Sequence, residues 1–279
     1  MQATKAVDVD ALAALVPDGA SMTVQKGDER DVPMALAHAL IRRRVRGLRL
    51  ITLPTAAYPA SGMMVDLLIG AGCVASVETS GISLHELGAA PRFTQAVKSG
   101  RLIVRDATCP AVYAALQAGA KGQPFAPLRG LIGSDLLRHR DDYRVIANPF
   151  APGDPIVVVP AINADLAIFH AAKADAEGNV WIGRDRDRLL AAHAADLVLV
   201  TVDERVNGCF FDDEAMAAGV IPADLIGALA VVPGGGVPCL ADGRVDLAAV
   251  RRYQRAATDE EGFAAWLRER VLRGEPVAA

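Results

Sequence analysis

Residues 155–183, PIVVVPAINADLAIFHAAKADAEGNVWIG, leave a chain of this kind few folds to choose from. Two apolar runs, 156–159 and 166–169, are short, rich in β-branched or aromatic side chains, and closed by turn-forming or small polar residues. That pattern predicts two buried strands and not one helix. A tight polar link, 160–165, joins them. A second link, 173–179, follows, with Gly178 suited to a positive φ and Asn179 able to bond neighbouring backbone. A third strand, 180–182, comes at once. Polar residues therefore gather at strand ends above a packed sheet, and in open α/β sheets ligands sit at such ends.

The alternation continues along the chain. Residues 21–24, 48–53, 74–78, 102–105, 197–202 and 226–232 read as strands. Helices are expected at 7–15, at about 33–44 with Asp31 as cap and Pro33 in the first turn, from 62 to about 70, as a short helix that follows 88–93 and closes at Gly100, at 108–120 with Thr108 as cap, and at 185–193. Residues 124–135 read as a constrained loop punctuated by Pro and Gly, and 141–154 as a loop with an edge strand at 143–146. Thr258 and Glu261 form a capping box before a final helix to about residue 270. Its Phe263, Trp266, Leu267 and Val271 share one face, assigned to core or subunit contact. Strands alternating with helices imply a three-layer α/β/α sandwich around a mostly parallel sheet, one domain over residues 1–279.

Composition sets limits on function. The chain is 52% hydrophobic and 22% charged, which supports a sizeable core, and its net charge is only −4. No basic stripe with interleaved aromatics is present, so nucleic acid is not an expected partner. Arg42, Arg43 and Arg44 read as a solvated helix C-terminus. Cys73, Cys109, Cys209 and Cys239 form no Cys-x-x-Cys pair and lack His at ligand spacing, so no metal site is expected. The start has no basic-then-apolar signal pattern and no run is long enough to span a bilayer, which favours a cytoplasmic setting without membrane contact.

Several stretches are candidates for chemistry, each with a plainer alternative. Gln25, Lys26 and Gly27 open a loop to Asp31 that joins a strand to a helix N-terminus: an anion site, or an ordinary βα turn. Glu78 closes a strand as a catalytic carboxylate or as surface. Asp106 and Cys109 flank a helix start, which can lower a thiol pKa, although a buried inert cysteine is the expectation. Arg129 can meet a carboxylate or phosphate, or form an ion pair. Gly133, Ser134 and Asp135 follow it. Asn163, His170 and Asn179 line a pocket or satisfy strand-end backbone. The Gly234-Gly235-Gly236 run lacks the Lys-Ser/Thr of a phosphate loop and reads as a turn with special dihedrals.

A strand, Pro-Ala-x-Asn-x-Asp, a His-bearing strand and Ala-Asp-x-x-Gly-Asn together resemble the α subunit of family I coenzyme A transferases, the glutaconate-type branch most closely. Three further stretches resemble it in the same order. They are Pro17-Asp18-Gly19 with its strand, loop and Pro33-x-x-Leu36; Gly88-x-Ala90-Pro91-x-Phe93; and Pro124-Phe125-x-Pro127 with Gly133-Ser134-Asp135. The resemblance covers about residues 17–267. It implies a two-subunit enzyme, α2β2, in which a β-subunit Glu attacks an acyl-CoA thioester. A mixed anhydride forms, then a glutamyl-CoA thioester, and CoA passes to an acceptor carboxylate. CoA is then a co-substrate, with no tightly bound cofactor. The Glu-Asn-Gly or Glu-Ser-Gly setting of that nucleophile is absent here, so the resemblance implies an α chain that shapes the acyl-CoA pocket through Gln25–Gly27 and 129–135. Departures are also present. A Gly-Gly-Phe type loop, whose N–H groups stabilise an oxyanion in many such subunits, is replaced by Gly27 among charged residues. Of positions 106–109 only Asp106 is acidic. These departures keep open a hydrolase-like α subunit that cleaves a cyclic acyl-CoA with water. A non-catalytic sugar-phosphate sensor is a third reading, lacking here the basic helix-turn-helix such proteins carry.

Overall fold

The computed structural model describes residues 5–26, 31–240 and 242–273. In chain order the elements are β1 (Lys5–Ala6), α1 (Val9–Ala14), β2 (Ser21–Val24), α2 (Met34–Arg43), β3 (Leu48–Thr52), α3 (Pro59–Gly70), β4 (Val74–Thr79), α4 (Pro91–Lys98), β5 (Ile103–Asp106) and α5 (Cys109–Ala120). Then come β6 (Phe125–Leu128), α6 (Leu136–His139), β7 (Arg144–Ile146), β8 (Ile156–Pro160), β9 (Ala164–Ala174), β10 (Val180–Trp181), α7 (Arg186–His193) and β11 (Ala195–Arg205). The last are α8 (Glu214–Ala217), β12 (Val220–Ile221), β13 (Ala228–Val231), α9 (Leu247–Ala256) and α10 (Glu260–Trp266).

Eight strands make one parallel sheet, ordered β1-β13-β11-β9-β2-β3-β4-β5, with β10 and β12 joined antiparallel beside β9. β9 is its axis. Alternate residues of β9 go to opposite layers, as a period of two requires. Leu166 and Ile168 pack with α1, α2, α3, α9 and α10 through Leu12, Leu40, Met64, Tyr253 and Phe263. Ala167 and Phe169 pack with α5 and α7 through Leu116 and Ala191. A strand covered on both faces reads as one continuous apolar run, which is why its sequence signal is strong. Each fully buried Leu, Ile or Phe contributes about 1.5–3 kcal/mol relative to exposure. The three-layer α/β/α sandwich expected from the sequence is the fold observed.

Three expectations are corrected. The run at 156–159 does not neighbour β9 in the main sheet: β8 is the middle strand of a separate antiparallel sheet, β6-β8-β7. Its Val157 and Val159 pack on α5 at Ala111, Ala115 and Ala118. Residues 125–128, expected in a loop, form β6; Pro127 is tolerated because β6 is an edge strand and needs no ladder donor on its outer side. The last helix is capped by Asp259, whose carboxylate accepts the Gly262 N–H at 2.8 Å, while Thr258 donates back to Gln254 O. The face carrying Phe263 and Val271 is core, as expected.

Candidate functional site

The strand order reverses once. From β2 the chain steps outward through β3, β4 and β5; β9 then lies on the other side of β2 and the chain steps the opposite way through β11 to β13. The crossover helices α2 and α7 consequently lie in opposite layers. Such a switch point opens a crevice beyond the carboxyl ends of the two central strands, here β2 and β9. The loop that leaves β2 begins Gln25-Lys26, and Gly27 together with residues 28–30 lies outside the described residues.

Buried polar groups gather at this switch point. Gln25 is fully buried; its Nε2 donates to Ile168 O at 3.3 Å, and its Oε1 has no hydrogen-bond partner. Asp31, buried at the far end of the loop, caps no helix: α2 has Pro33 as N-cap without a side-chain bond. The Asp31 carbonyl instead accepts the His170 N–H at 2.8 Å. The His170 ring lies 2.8 Å from Thr201 Oγ1 through Nδ1 and 3.3 Å from Asp203 Oδ1 through Nε2. Asp203 also accepts the Gly234 N–H at 2.8 Å, and a Cβ on Gly236 would come within 3.0 Å of the His170 ring. His170 therefore joins the 25–31 loop to the glycine turn after β13. That turn contains a positive φ at Gly234, as its composition suggests.

The other strand ends extend the same edge. Beyond β3, Tyr58 caps α3 without a side-chain bond, and Pro59 fills the first helical position. Tyr58 stacks on His85, with centroids 5.5 Å apart and planes 11° apart, and Lys26 Nζ lies 5.5 Å from the Tyr58 ring centre. His85 has a φ of 54° and its Nδ1 meets Glu86. Ser61 Oγ donates to Lys26 O. The segment 81–85 sits flush on α3 because residue 62 is glycine; a Cβ there would lie 1.9 Å from Ser83 O. Beyond β5, Thr108 caps α5 by accepting the Ala111 N–H, as expected. Cys109 corrects its expectation: it is exposed and lies 3.4 Å from Ser80 Oγ.

Glu78 is neither free nor simply surface. Its Oε1 accepts from Arg140 at 2.8 Å, and its Oε2 lies 3.6 Å from Arg105. Asp142 joins them, meeting Arg140 at 2.9 Å and Arg105 at 2.7 Å. Burial alone would raise the Asp142 carboxyl; the guanidiniums of Arg140 and Arg105 hold it below its usual range. Burial opposes charge on Arg140 too, and its carboxylate partners outweigh that and push its pKa up.

Not every predicted residue meets at this edge. Asn163 lies before the start of β9, at the opposite end of the sheet, seven residues and so about 23 Å of strand from His170. Asn179 is buried; it donates to Asp175 Oδ2 at 2.8 Å and accepts the Ala223 N–H at 2.9 Å, which makes it a framework of the β9–β10 turn. Arg129 pairs with Asp154 at 2.5 Å on the surface. Asp135 pairs with Arg138, also on the surface, and the Ser134 hydroxyl is buried without a partner. Gly133, with φ at 80°, turns the chain into α6 and Arg140. Sequence reasoning missed Tyr58, His85 and Arg140. The Tyr58-Pro59 pair was a usable helix-start signal; Arg140 had none. Among the described residues no group of three or more His, Cys, Asp or Glu is arranged to hold a metal ion, and no helix is long and apolar enough to cross a membrane.

Open three-layer α/β sheets with such a switch point form a class of chains whose ligands as a rule bind at the carboxyl edge. Residues 7–223 match the model of the coenzyme A transferase family. The chain is 32% identical, over 95% of its length and 92% of the relative's, to the A-type subunit of the 3-oxoadipate CoA-transferase of Pseudomonas knackmussii. It is 29% identical, over 73% of its length and 69% of the relative's, to the cholesterol ring-cleaving hydrolase IpdA subunit of Rhodococcus jostii. Among solved structures, glutaconate coenzyme A-transferase of Acidaminococcus fermentans superimposes with a TM-score of 0.85 at 24% identity, covering 98% of this chain and 90% of that one. The decarboxylase AibA/AibB superimposes at 0.81 with 29% identity, covering 96% and 98%. The chain belongs to the coenzyme A transferase family, on the side of its A-type subunits.

Proposed function

We propose that this chain is the α subunit of a two-subunit CoA-transferase, moving CoA from an acyl-CoA to a carboxylic acid with the nucleophilic Glu supplied by a β subunit. The observation that carries this reading is the state of the glutamates at the carboxyl edge. Among the described residues, Glu78 is held by Arg140 and Arg105, while the exposed Glu86, Glu177 and Glu204 meet His85, Asn179 with Cys209, and Lys173. Glu78, the one of these that is largely buried, is engaged through both carboxylate oxygens and is not disposed as a free nucleophile. The chain then shapes the pocket: Gln25 and Lys26 beside the thioester, α3 and Tyr58 next to them, and residues 133–143 as a wall. CoA arrives and leaves as part of the substrate, the assembly is α2β2, and the setting is cytoplasmic. The test is CoA exchange between an acyl-CoA and a labelled carboxylate. The chain alone is expected to be inert and the complex with its partner active; full-rate exchange by the isolated chain would overturn the assignment.

A second reading is favoured by the exposed Asp106 carboxylate at the end of β5, together with the likeness to the ring-cleaving hydrolase subunit. In it, water attacks a cyclic acyl-CoA and no glutamyl intermediate forms. Hydroxylamine or borohydride trapping separates the two: a complex inactivated only in the presence of acyl-CoA supports transfer, and an untouched, turning-over complex supports hydrolysis.

A further inference from the structure

Arg140 follows directly on α6, and its side chain is 5% exposed. Its guanidinium grips Asp142 with two bonds of 2.9 Å, donates to Glu78 Oε1 at 2.8 Å, and donates to the backbone carbonyl of Asp106 at 3.0 Å. It lies 4.0 Å from the centre of the Tyr143 ring. Arg105 completes a cluster of two cations and two carboxylates. The cluster is placed where β4 and β5 end, next to Ser80 and Cys109.

Holding the small sheet to the molecule does not call for this arrangement. That sheet already has an apolar seat on α5, through Ala111, Ala115, Val157 and Val159. What Arg140 adds is a tie from the strand ends to the segment that turns at Gly133 and passes through α6. A planar fork meets three acceptors at fixed angles, which an ammonium cannot do.

We propose that Arg140 is a positioning residue that fixes residues 133–143 over the ends of β4 and β5 and thereby sets one wall of the acyl-CoA pocket. The acyl-CoA part rests on the function proposed above. Arg140 also occupies Glu78, which keeps that carboxylate out of the reaction.

The experiment uses the complex with its partner and three variants: Arg140→Lys, Arg140→Met, and Arg140→Met combined with Glu78→Gln. KM and kcat for the acyl-CoA are measured alongside hydrogen exchange of the whole chain. Both single variants are expected to raise KM about tenfold while kcat changes much less, the signature of lost positioning before the chemical step. Exchange is expected to quicken in residues 131–143 and to stay unchanged in β9 and β11, which also shows that the variants fold. The double variant is expected to keep the raised KM, because the bond to the Asp106 carbonyl and the stack on Tyr143 stay lost. A normal KM and normal exchange in Arg140→Met would overturn the proposal. So would recovery of KM in the double variant, which would reduce Arg140 to a counter-charge for Glu78. Were the wild-type complex inert toward every acyl-CoA, the function proposed above would fall; quickened exchange confined to 131–143 would still support the tie, and unchanged exchange would overturn it.

Discussion

His38 shows how one buried side chain can carry a pH dependence. It lies within α2, and burial first, then the charge of Arg42, pushes its imidazole down to about 4 from 6.5. The folded chain therefore keeps His38 neutral while the unfolded chain protonates it near 6.5. The unfolded state binds the extra proton between those values, so stability is complete above pH 6.5 and is lost as pH falls toward 4. The loss attributable to His38 between pH 7 and pH 4 is about 3 kcal/mol. Urea unfolding of wild type and His38→Met across that range is expected to show wild type losing about 3 kcal/mol more than the variant; parallel curves would remove His38 as the cause. Single residues also show what the sequence could reveal of the site. Gln25 directly follows β2, and His170 lies within β9 just past the level where β2 ends, so their meeting followed from the fold once the strands were read. Arg140 could not be seen, because its partners Glu78 and Asp106 lie 62 and 34 positions away and only the folded chain brings them together. Asn163 misled for a related reason: polar residues mark both ends of a strand, and only the strand's direction tells which end is the ligand edge.

Among the elements, α3 governs how the crevice is walled. Its glycine at 62 lets the backbone at Ser83 and Ala56 approach, with a Cβ there only 1.9 Å from Ser83 O and 3.1 Å from Ala56 O. Both neighbours are backbone, so neither can swing aside. Gly62→Ala is expected to cost about 1–3 kcal/mol through overpacking and to displace the Tyr58–His85 stack. Denaturant titration and activity of the complex check this; an unchanged midpoint with unchanged activity would show that the 81–85 segment moves freely. The central strands were readable because burial on both faces makes an unbroken apolar run. The small sheet was not, because an apolar run does not say which sheet it joins, and two prolines around Phe125 imitate a loop. The helix α9 escaped notice since four of its ten residues are Arg or Gln and only Val250 and Tyr253 are buried.

For the whole molecule, the proposed function makes this chain one half of a catalytic unit. Under that proposal the β2/β9 switch point contributes pocket wall, Glu78 stays engaged by Arg140 and Arg105, and the nucleophile comes from a partner. The 32% identical relative is named as the A-type subunit of its enzyme, which implies a second chain beside it. Native mass spectrometry of the protein purified untagged from its own source tests this most directly. The expected result is a second polypeptide at a one-to-one ratio, in an assembly of two copies of each. A chain that flies alone, or only with copies of itself, would contradict the proposed function, since the whole site would then have to be found within these 279 residues.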